Sequence, residues 1–420
     1  MTNRSRAAPQ RFSALRHRNF MLLWVGSVIS NSGSWMQIVA QGWLVYDLTH
    51  SSFQLGLVSM ARAVPMIVLP PLGGVLADRM PRLRLMKVSQ GASAVAALLL
   101  AVLVGQRMAG VPELVVFSVV SGVISAFDAP TRQAVLPDLV PQEDVASAVA
   151  LNSAAWQGAA MVGPAVAGVL VGAIGIAGAF YANAASFLAV VLALYLMRDV
   201  PEPSRPRGSA GFVVDFFDGL RLVRRTPVLW TLLLLATVTS LFGRSYQQLL
   251  PVFAGEVLDV GATGLGLMLA APGLGTVIGA VVLGFLGDVE RKGLVQVVGM
   301  VLFSGLLVLF TLSSNFLVSL GLLTLMGACF LVLTSMNTTM LQLSAPPGMR
   351  GRIMGYMTVI MQGFAPLGAV LAGGAGVVIG TPSAVAISAS VVAAAALLSV
   401  PLAPAVFRYA GQRAHGARAG

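Results

Sequence analysis

Long apolar stretches separated by short polar turns follow one another along most of the chain. Twelve of them are long enough to cross the roughly 30 Å hydrocarbon core of a bilayer. Each is predicted to be helical, because an open strand cannot satisfy its backbone hydrogen bonds in lipid. The predicted spans are 21–45, 54–77, 88–106, 112–131, 146–172, 174–197, 228–252, 264–286, 294–313, 316–342, 353–379 and 383–406.

The composition agrees with a chain that is embedded in a membrane. Hydrophobic residues make up 57% of the 420 residues, a further 46 residues are glycine, and only 10% are charged. Such a chain cannot cover a water-soluble globule, whose surface must be largely polar. The single cysteine, Cys329, excludes an internal disulfide framework. We therefore expect a multi-pass protein of the inner, or plasma, membrane that is surrounded by lipids.

The distribution of the basic residues predicts how the chain is oriented. The formal net charge of +11 would suggest a nucleic-acid partner in a soluble protein. Here, however, 23 of the 26 lysines and arginines fall in the termini and loops of one side. Only Arg107 falls on the other side, and Arg62 and Arg244 lie inside spans. The positive-inside rule then predicts that both termini are cytoplasmic, and we expect no nucleic-acid partner.

A long polar segment separates the first six spans from the last six. It covers 199–227 and carries several prolines and arginines. We predict an N-terminal six-helix bundle in 1–198, a cytoplasmic central loop in 199–227 and a C-terminal six-helix bundle in 228–420.

The two groups of spans also resemble each other at nearly constant offsets. Gly56 recurs 210 residues later as Gly266, and Gly168 recurs 205 residues later as Gly373. With six spans each, the repeats share one orientation in the membrane. The sequence thus predicts an all-α polytopic membrane protein with twelve transmembrane helices in two parallel six-helix repeats. This architecture is typical of transporters that bind their substrate between two bundles.

The loop between the second and third spans carries a motif that resembles a known signature. Gly74, Asp78, Arg79 and Arg82 follow the G-x-x-x-D-R-x-G-R pattern of the major facilitator superfamily, although Pro81 replaces its usual glycine. A degenerate second copy comprises Gly284, Asp288 and Arg291. The resemblance implies that Asp78 and Asp288 take part in a cytoplasmic latch that forms in only one orientation of the transporter. The alternative is that the loop charges serve only orientation and solvation.

A second motif indicates the exporter branch of that superfamily. Gly163, Pro164 and Gly168 match the end of a fifth-helix signature found in exporters and antiporters, where small residues let helices approach closely. Four further stretches resemble enterobactin-exporter-like and drug-exporter proteins, namely Arg18-Asn19-Phe20, Phe127–Gln133, Leu250–Ala254 and Arg350–Arg352. The resemblance implies a secondary-active, proton-coupled exporter of drug-like or siderophore-like small molecules that works by alternating access.

Polar side chains inside the spans are the candidates for a substrate cavity. They recur every three or four residues in the first span, and the seventh span repeats the stripe. Such stripes line an aqueous cavity or, alternatively, hold helices together by hydrogen bonds. The predicted cavity residues are Asn31, Ser34, Gln37, Gln41, Arg62, Asn152, Ser240, Arg244 and Gln247.

Two of these residues are arginines. A guanidinium at the bilayer centre raises the free energy of membrane insertion by about 2.5–3.5 kcal/mol. Arg62 and Arg244 would therefore face water, an anionic substrate or a carboxylate partner. The alternative is that each side chain extends to the membrane surface.

Asp128 is the one carboxylate placed well within a predicted span, which makes it the candidate for proton coupling. Arg132 follows one helical turn later and favours the ionised form of the carboxyl group. The alternative role of Asp128 is therefore a structural clamp.

No sequence feature indicates an enzyme, a cofactor or a metal site. The chain has no phosphate-binding Gly-Lys-Ser/Thr loop, and His17, His50 and His415 are far apart and outside the spans. We expect a monomer that moves a small molecule and protons. A lipid or lysolipid flippase of the same fold is the alternative, and a non-transporting membrane sensor is a second.

Overall fold

The computed structural model describes residues 12–69, 80–198, 212–287, 289 and 291–404. The structure is 91% helical, and its described residues contain no β-strand. The helices are α1 (Arg18–Thr49), α2 (Ser52–Val68), α3 (Arg82–Gly105), α4 (Val111–Val135), α5 (Val145–Leu196), α6 (Phe212–Arg225), α7 (Pro227–Val238), α8 (Tyr246–Val252), α9 (Gly261–Leu286), α10 (Lys292–Leu312), α11 (Phe316–Ser344), α12 (Arg350–Ile379) and α13 (Thr381–Leu402).

Within the described part of the chain, nine helical segments are long and apolar enough to cross a membrane, and Ser52–Val68 is a shorter apolar helix. α1 is 32 residues long but is not among the nine, because its serines, asparagine and glutamines lower its hydropathy. The polar stripe predicted from the sequence thus keeps α1 from meeting the criterion for a membrane span.

The fifth and sixth predicted spans form one element in the structure. α5 runs over 52 residues and changes direction at Gly175, whose φ of 76° and ψ of 173° are not helical. Because a side chain is rarely tolerated at this positive φ, glycine suits the bend. The segments before and after Gly175, called here the first and second arms of α5, correspond to the two predicted spans.

The polar segment 199–227, predicted as a loop, contains the helix α6. This helix packs on α12, where the lack of a side chain at Gly219 leaves room for the ring of Tyr356. Val223 is fully buried at the same contact. Part of the segment is thus a packed helix of the second half of the molecule.

The seventh predicted span is irregular. Two π-helical turns border α8: Thr239–Gly243 lies within the predicted span 228–252, and Phe253–Val257 directly follows it. Each π turn inserts one extra residue and rotates the side chains that follow, and such turns are frequent at functional sites.

Most of the described basic residues lie at one end of the helices, which we call the basic end. At this end the Asn19 side chain, at the start of α1, hydrogen-bonds the backbone of Arg198 after α5. Arg82 at the start of α3 binds Asp138 nearby. We call the other end, with the α1–α2 turn at His50, the opposite end.

The hydrophobic cores show where the two halves join. The largest core combines residues of α1–α5 with residues of α7–α13, for example Val45, Val171, Leu250 and Leu265. Two smaller cores draw on one half each: one surrounds Phe20 at the basic end. The other, in the second half, is built from α7, the end of α11 and the start of α12. The halves therefore share a core toward the opposite end and have separate cores at the basic end.

Candidate functional site

Two seams of close helix contact join the halves. In the first seam, between α2 and α12, the Ser52 hydroxyl donates a hydrogen bond of 2.9 Å to the carbonyl oxygen of Gly373. Gly56 lies against the backbone of Ala369, where an added Cβ would be 2.7 Å from the carbonyl carbon. Glycine at these positions lets the two backbones touch.

The second seam, between the first arm of α5 and α9, is built in the same way. The Thr263 hydroxyl donates a hydrogen bond of 3.1 Å to the carbonyl oxygen of Gly168. Gly266 packs against the backbone of Pro164 and Gly168. Of the predicted packing motif, Pro164 and Gly168 thus lie in the seam, whereas Gly163 faces Trp35 of α1.

Both seams end before they reach the basic end. On α5, Gln157 lies on the same face as Met161, which contacts Gly273 of α9, but Gln157 is exposed. On α12, Gly363 faces α2. Gly355 and Val359 lie on the same face, two turns and one turn earlier, and are likewise exposed. The space between the halves is therefore closed toward the opposite end and open toward the basic end.

The wall of this space on the first half carries two tryptophans. The rings of Trp35 on α1 and Trp156 on α5 lie 6.3 Å apart, and Trp156 is 51% exposed. The Trp35 indole N–H is buried and has no hydrogen-bond acceptor among the described residues. Asn31 and Asn152 lie one turn before these rings and are half-buried. A planar group with an acceptor atom would find both stacking and a donor here.

Most of the other polar side chains of α1 bond within their own half. Gln37 accepts a hydrogen bond from Asn183 on the second arm of α5, and Gln41 donates one of 2.7 Å to Ser118 on α4. Ser34 bonds the backbone of its own helix. These contacts favour the helix-packing interpretation for the two glutamines.

For the wall on the second half the sequence predicts Arg244, which follows the first π turn directly. Its guanidinium lies 5.1 Å from the centroid of the Phe330 ring, and its Nη2 donates to Gln247 at 3.4 Å. No described carboxylate pairs with it. Ser240, predicted for the same cavity, instead donates to the backbone of Ile360 on α12. Arg244 and Gln247 therefore remain as the polar groups of this wall.

A row of hydroxyl groups on α11 continues from Phe330 toward the basic end. Thr334, Ser335, Thr338 and Thr339 line a cavity of about 280 Å³. The sequence-based cavity residues include neither Phe330 nor these hydroxyls. The signal available in the sequence is four hydroxyl residues within six positions of an otherwise apolar helix.

Arg62 on α2 has no hydrogen bond or ion pair with any described residue and is half-buried. The carbonyl oxygen of Arg62 lies against Gly122 of α4, which holds the two backbones together at this point. Arg62 in the first half and Arg244 in the second half are thus both half-buried arginines without a described carboxylate.

The comparisons with known proteins agree with this architecture. Residues 9–410 match the family described as transmembrane secretion effector. The chain belongs to this branch of the major facilitator superfamily. It is 27% identical to the staphyloferrin A transporter of Staphylococcus aureus (81% of this chain, 85% of the relative). It is 26% identical to the enterobactin exporter EntS of Shigella boydii (86% of each) and 24% identical to the multidrug efflux pump Tap of Mycolicibacterium fortuitum (84% and 88%).

A solved structure shares the fold. A bacterial homolog of the human lysosomal transporter Spinster, in an inward-facing and unoccupied conformation, superposes with a TM-score of 0.71 at 14% identity, covering 94% of this chain and 97% of that one. The superfamily and its exporter-like relatives confirm the resemblance predicted from the motifs. The family and these relatives are transporters and not enzymes. This chain is therefore a multi-pass protein of the inner membrane that carries small molecules.

The superfamily's loop signature lies mostly outside the described residues, which exclude Gly74, Asp78, Arg79 and Asp288. Arg82, which is described, binds Asp138 at 2.7 Å and the carbonyl oxygen of Ala134 at 2.8 Å. The second copy is exposed at Gly284 and Arg291. Arg82 thus ties α3 to the end of α4, and the latch stays a prediction.

Asp128 lies at the centre of a polar cluster inside the first half. Its Oδ1 accepts hydrogen bonds from Ser89 at 2.7 Å and Gln90 at 2.8 Å, and its Oδ2 pairs with Arg132 at 3.1 Å. Arg132 also donates to Ser27 of α1 at 2.6 Å. The cluster thereby connects α1, α3 and α4. A hydrogen-bond network that joins three helices through one carboxyl group favours the clamp.

Proposed function

We propose that this protein is a secondary-active exporter that moves an acidic, drug-like or siderophore-like small molecule out of the cell by alternating access, driven by protons. The observation that carries the proposal is Arg244, a half-buried guanidinium of the second half for which no described carboxylate provides a counter-charge. An intramembrane cation without a partner is costly, so a substrate that brings its own negative charge is favoured.

The site we propose combines one wall from each half. The first half contributes Trp35, Trp156 and the half-buried Asn31, Asn152 and Arg62. The second half contributes Arg244, Gln247, Phe330 and the hydroxyl row of α11. The rings would bind planar parts of the substrate and the arginines its acidic groups. That relatives are named for transport of staphyloferrin A and enterobactin supports a substrate of this size and polarity.

Twelve membrane crossings in two parallel repeats belong to the proposal. The long α5 with its bend at Gly175 would provide two crossings, and α7 with α8 would provide one. The seams support the repeat, because Gly168 and Gly373, which are offset by 205 residues, both accept a hydroxyl hydrogen bond from the facing helix. The bundles would span 1–198 and 228–420 with both termini in the cytoplasm, and a monomer in lipid would suffice.

With that orientation, the opening at the basic end is an inward-facing state. Alternating access would then separate the two seams and bring the basic ends together. Asp78 and Asp288 would latch the closed basic end, as the superfamily signature implies. Small residues at both seams suit this motion, because they let the backbones part without unpacking large side chains.

Uptake into inverted membrane vesicles tests the proposal directly. A panel of matched acidic, neutral and cationic compounds is offered with and without an imposed proton gradient. We expect gradient-dependent uptake of the acidic compounds. Uptake that ignores the gradient would refute the coupling, and preference for cationic compounds would refute the substrate class.

Asp128→Asn in the same assay separates the two roles of that residue. As a clamp, the variant loses thermal stability, and each folded molecule keeps its gradient dependence. Loss of gradient dependence at unchanged stability would instead identify Asp128 as the proton carrier.

A further inference from the structure

A cavity of about 470 Å³ lies at the basic end, where α1 begins and α5 ends. It is lined by His17, Arg18, Asn19, Leu139 and Arg198. All five belong to the first half, and none of them is among the residues assigned above to the space between the halves.

The Arg18-Asn19-Phe20 motif builds this cavity. The Asn19 amide donates a hydrogen bond of 2.6 Å to the carbonyl oxygen of Arg198, and the Arg198 N–H donates one of 3.3 Å to the Asn19 side chain. Phe20 is fully buried in the core beneath. The motif therefore holds two arginines, 180 positions apart in the sequence, around one cavity.

Two of the five lining residues are arginines, and neither has a counter-ion in the described chain. Arg18 and Arg198 are exposed and make no side-chain hydrogen bond or ion pair with any described residue. Of the acidic side chains nearby in the sequence, Asp144 is bound to His17 at 2.7 Å and Asp138 is bound to Arg82 at 2.7 Å. Two neighbouring guanidinium groups repel each other, and a phosphate between them would remove this repulsion and accept several hydrogen bonds.

The surface beside the cavity indicates that such a phosphate belongs to a lipid. Leu188, Leu192 and Tyr195 are 60%, 60% and 67% exposed and form one stripe of the second arm of α5. The stripe ends three residues before Arg198. The Lys87 ammonium lies 4.6 Å from the centroid of the Tyr195 ring, and lysine with tyrosine is typical of the membrane–water interface. An acyl chain along the stripe would bring its headgroup to the two arginines.

We propose that this cavity binds the phosphate of an anionic phospholipid headgroup in the leaflet at the basic end. Basic pockets among transmembrane helices on the cytoplasmic side bind such headgroups by the same physics. Asn19 is a positioning residue, because it holds Arg198 beside Arg18.

Native mass spectrometry of the delipidated full-length protein in dodecyl maltoside tests the site. The probes are dioleoylphosphatidylglycerol, dioleoylphosphatidylcholine and inorganic phosphate. We expect phosphatidylglycerol to bind and R18Q/R198Q to weaken its binding at least about tenfold, because the variant removes both charges that attract the anionic headgroup. The matched control, R84Q/R350Q, removes the same charge from exposed arginines outside the cavity and should bind like the unmodified protein.

Each remaining outcome would overturn the assignment. Equal weakening in both double variants would show a general charge effect. Equal binding of phosphatidylcholine would show that the site does not select for a net negative charge on the headgroup. Competition by equimolar inorganic phosphate would show a site for free anions. Should R18Q/R198Q fail to fold, R18K/R198K retains the charge but not the planar fork. It should then bind phosphatidylglycerol more weakly than R84K/R350K.

Discussion

α1 and the interrupted pair α7–α8, which the sequence relates through its repeat, use their polar side chains differently. α1 is continuous, and its glutamines bond to Asn183 and Ser118 inside the first half. The second region is broken by two π turns, and Arg244, directly after the first, meets a phenylalanine ring and a glutamine. The polar stripe of a regular helix can therefore be fully hydrogen-bonded within its own half, whereas a break in the helix leaves a charged side chain available for other partners.

The first prediction, with the largest change in stability, concerns the first π turn. A Cβ at Gly368 of α12 would lie 1.6 Å from the carbonyl oxygen of Leu241, within the first π turn. Gly368→Ala must therefore displace backbone, and we expect a loss of about 3 kcal/mol in the free energy of unfolding. Thermal unfolding of the purified protein in detergent measures it.

A matched control lies on the same helix. Nothing lies within 4 Å of a Cβ at Gly355, so Gly355→Ala should be neutral or stabilise by up to about 1 kcal/mol. Equal destabilisation by the two variants would mean that the π turn is not held by close packing.

The next effect concerns Arg244. Arg244→Gln should reduce transport of an acidic substrate at least about tenfold, since a charge-assisted contact contributes about 1.5–3 kcal/mol. Thermal stability should not fall, because the variant removes a partly desolvated charge. The exposed Arg107 provides the control, and Arg107→Gln should transport normally. A stability loss with unimpaired transport would assign Arg244 to packing.

The smallest effect separates the two regions most finely. Ser118→Ala removes the partner of Gln41 and should cost about 0.6 kcal/mol of stability, the typical size of a hydrogen bond between membrane helices. Transport per folded molecule should not change. Gln247→Leu should do the reverse: it raises the KM for an acidic substrate several-fold and leaves stability as it is. If Ser118→Ala instead raised the KM and Gln247→Leu lowered stability, the first region would hold the substrate contact and the second would serve packing.

Much of the fold follows from the sequence because lipid imposes simple rules on a chain. Apolar length predicts the helices within a few residues, as for 316–342 against Phe316–Ser344. A bend between the fifth and sixth spans is signalled by glycine, and Gly175 provides it. The one-turn spacing of Asp128 and Arg132 predicts their ion pair.

The site is less predictable, because a stripe shows that polar residues share a face but not which partner faces them. Gln37 and Gln41 match the pattern of cavity residues, yet their partners lie on α5 and α4 of the same half. A π turn adds one residue per turn, and no residue type demands it, so the rotation that places Arg244 against Phe330 is not visible in the spacing. Tertiary packing decides both.

The two seams have a consequence for how the transport cycle responds to its surroundings. They are made of touching glycine backbones and hydroxyl-to-carbonyl bonds, and the three ion pairs found in the described residues all lie within the first half. Dissolved ions screen interactions between charges but leave dispersion contacts and neutral hydrogen bonds almost untouched. The rate at which the closed end opens should therefore be nearly independent of ionic strength, and any salt dependence of the cycle would arise at the basic end.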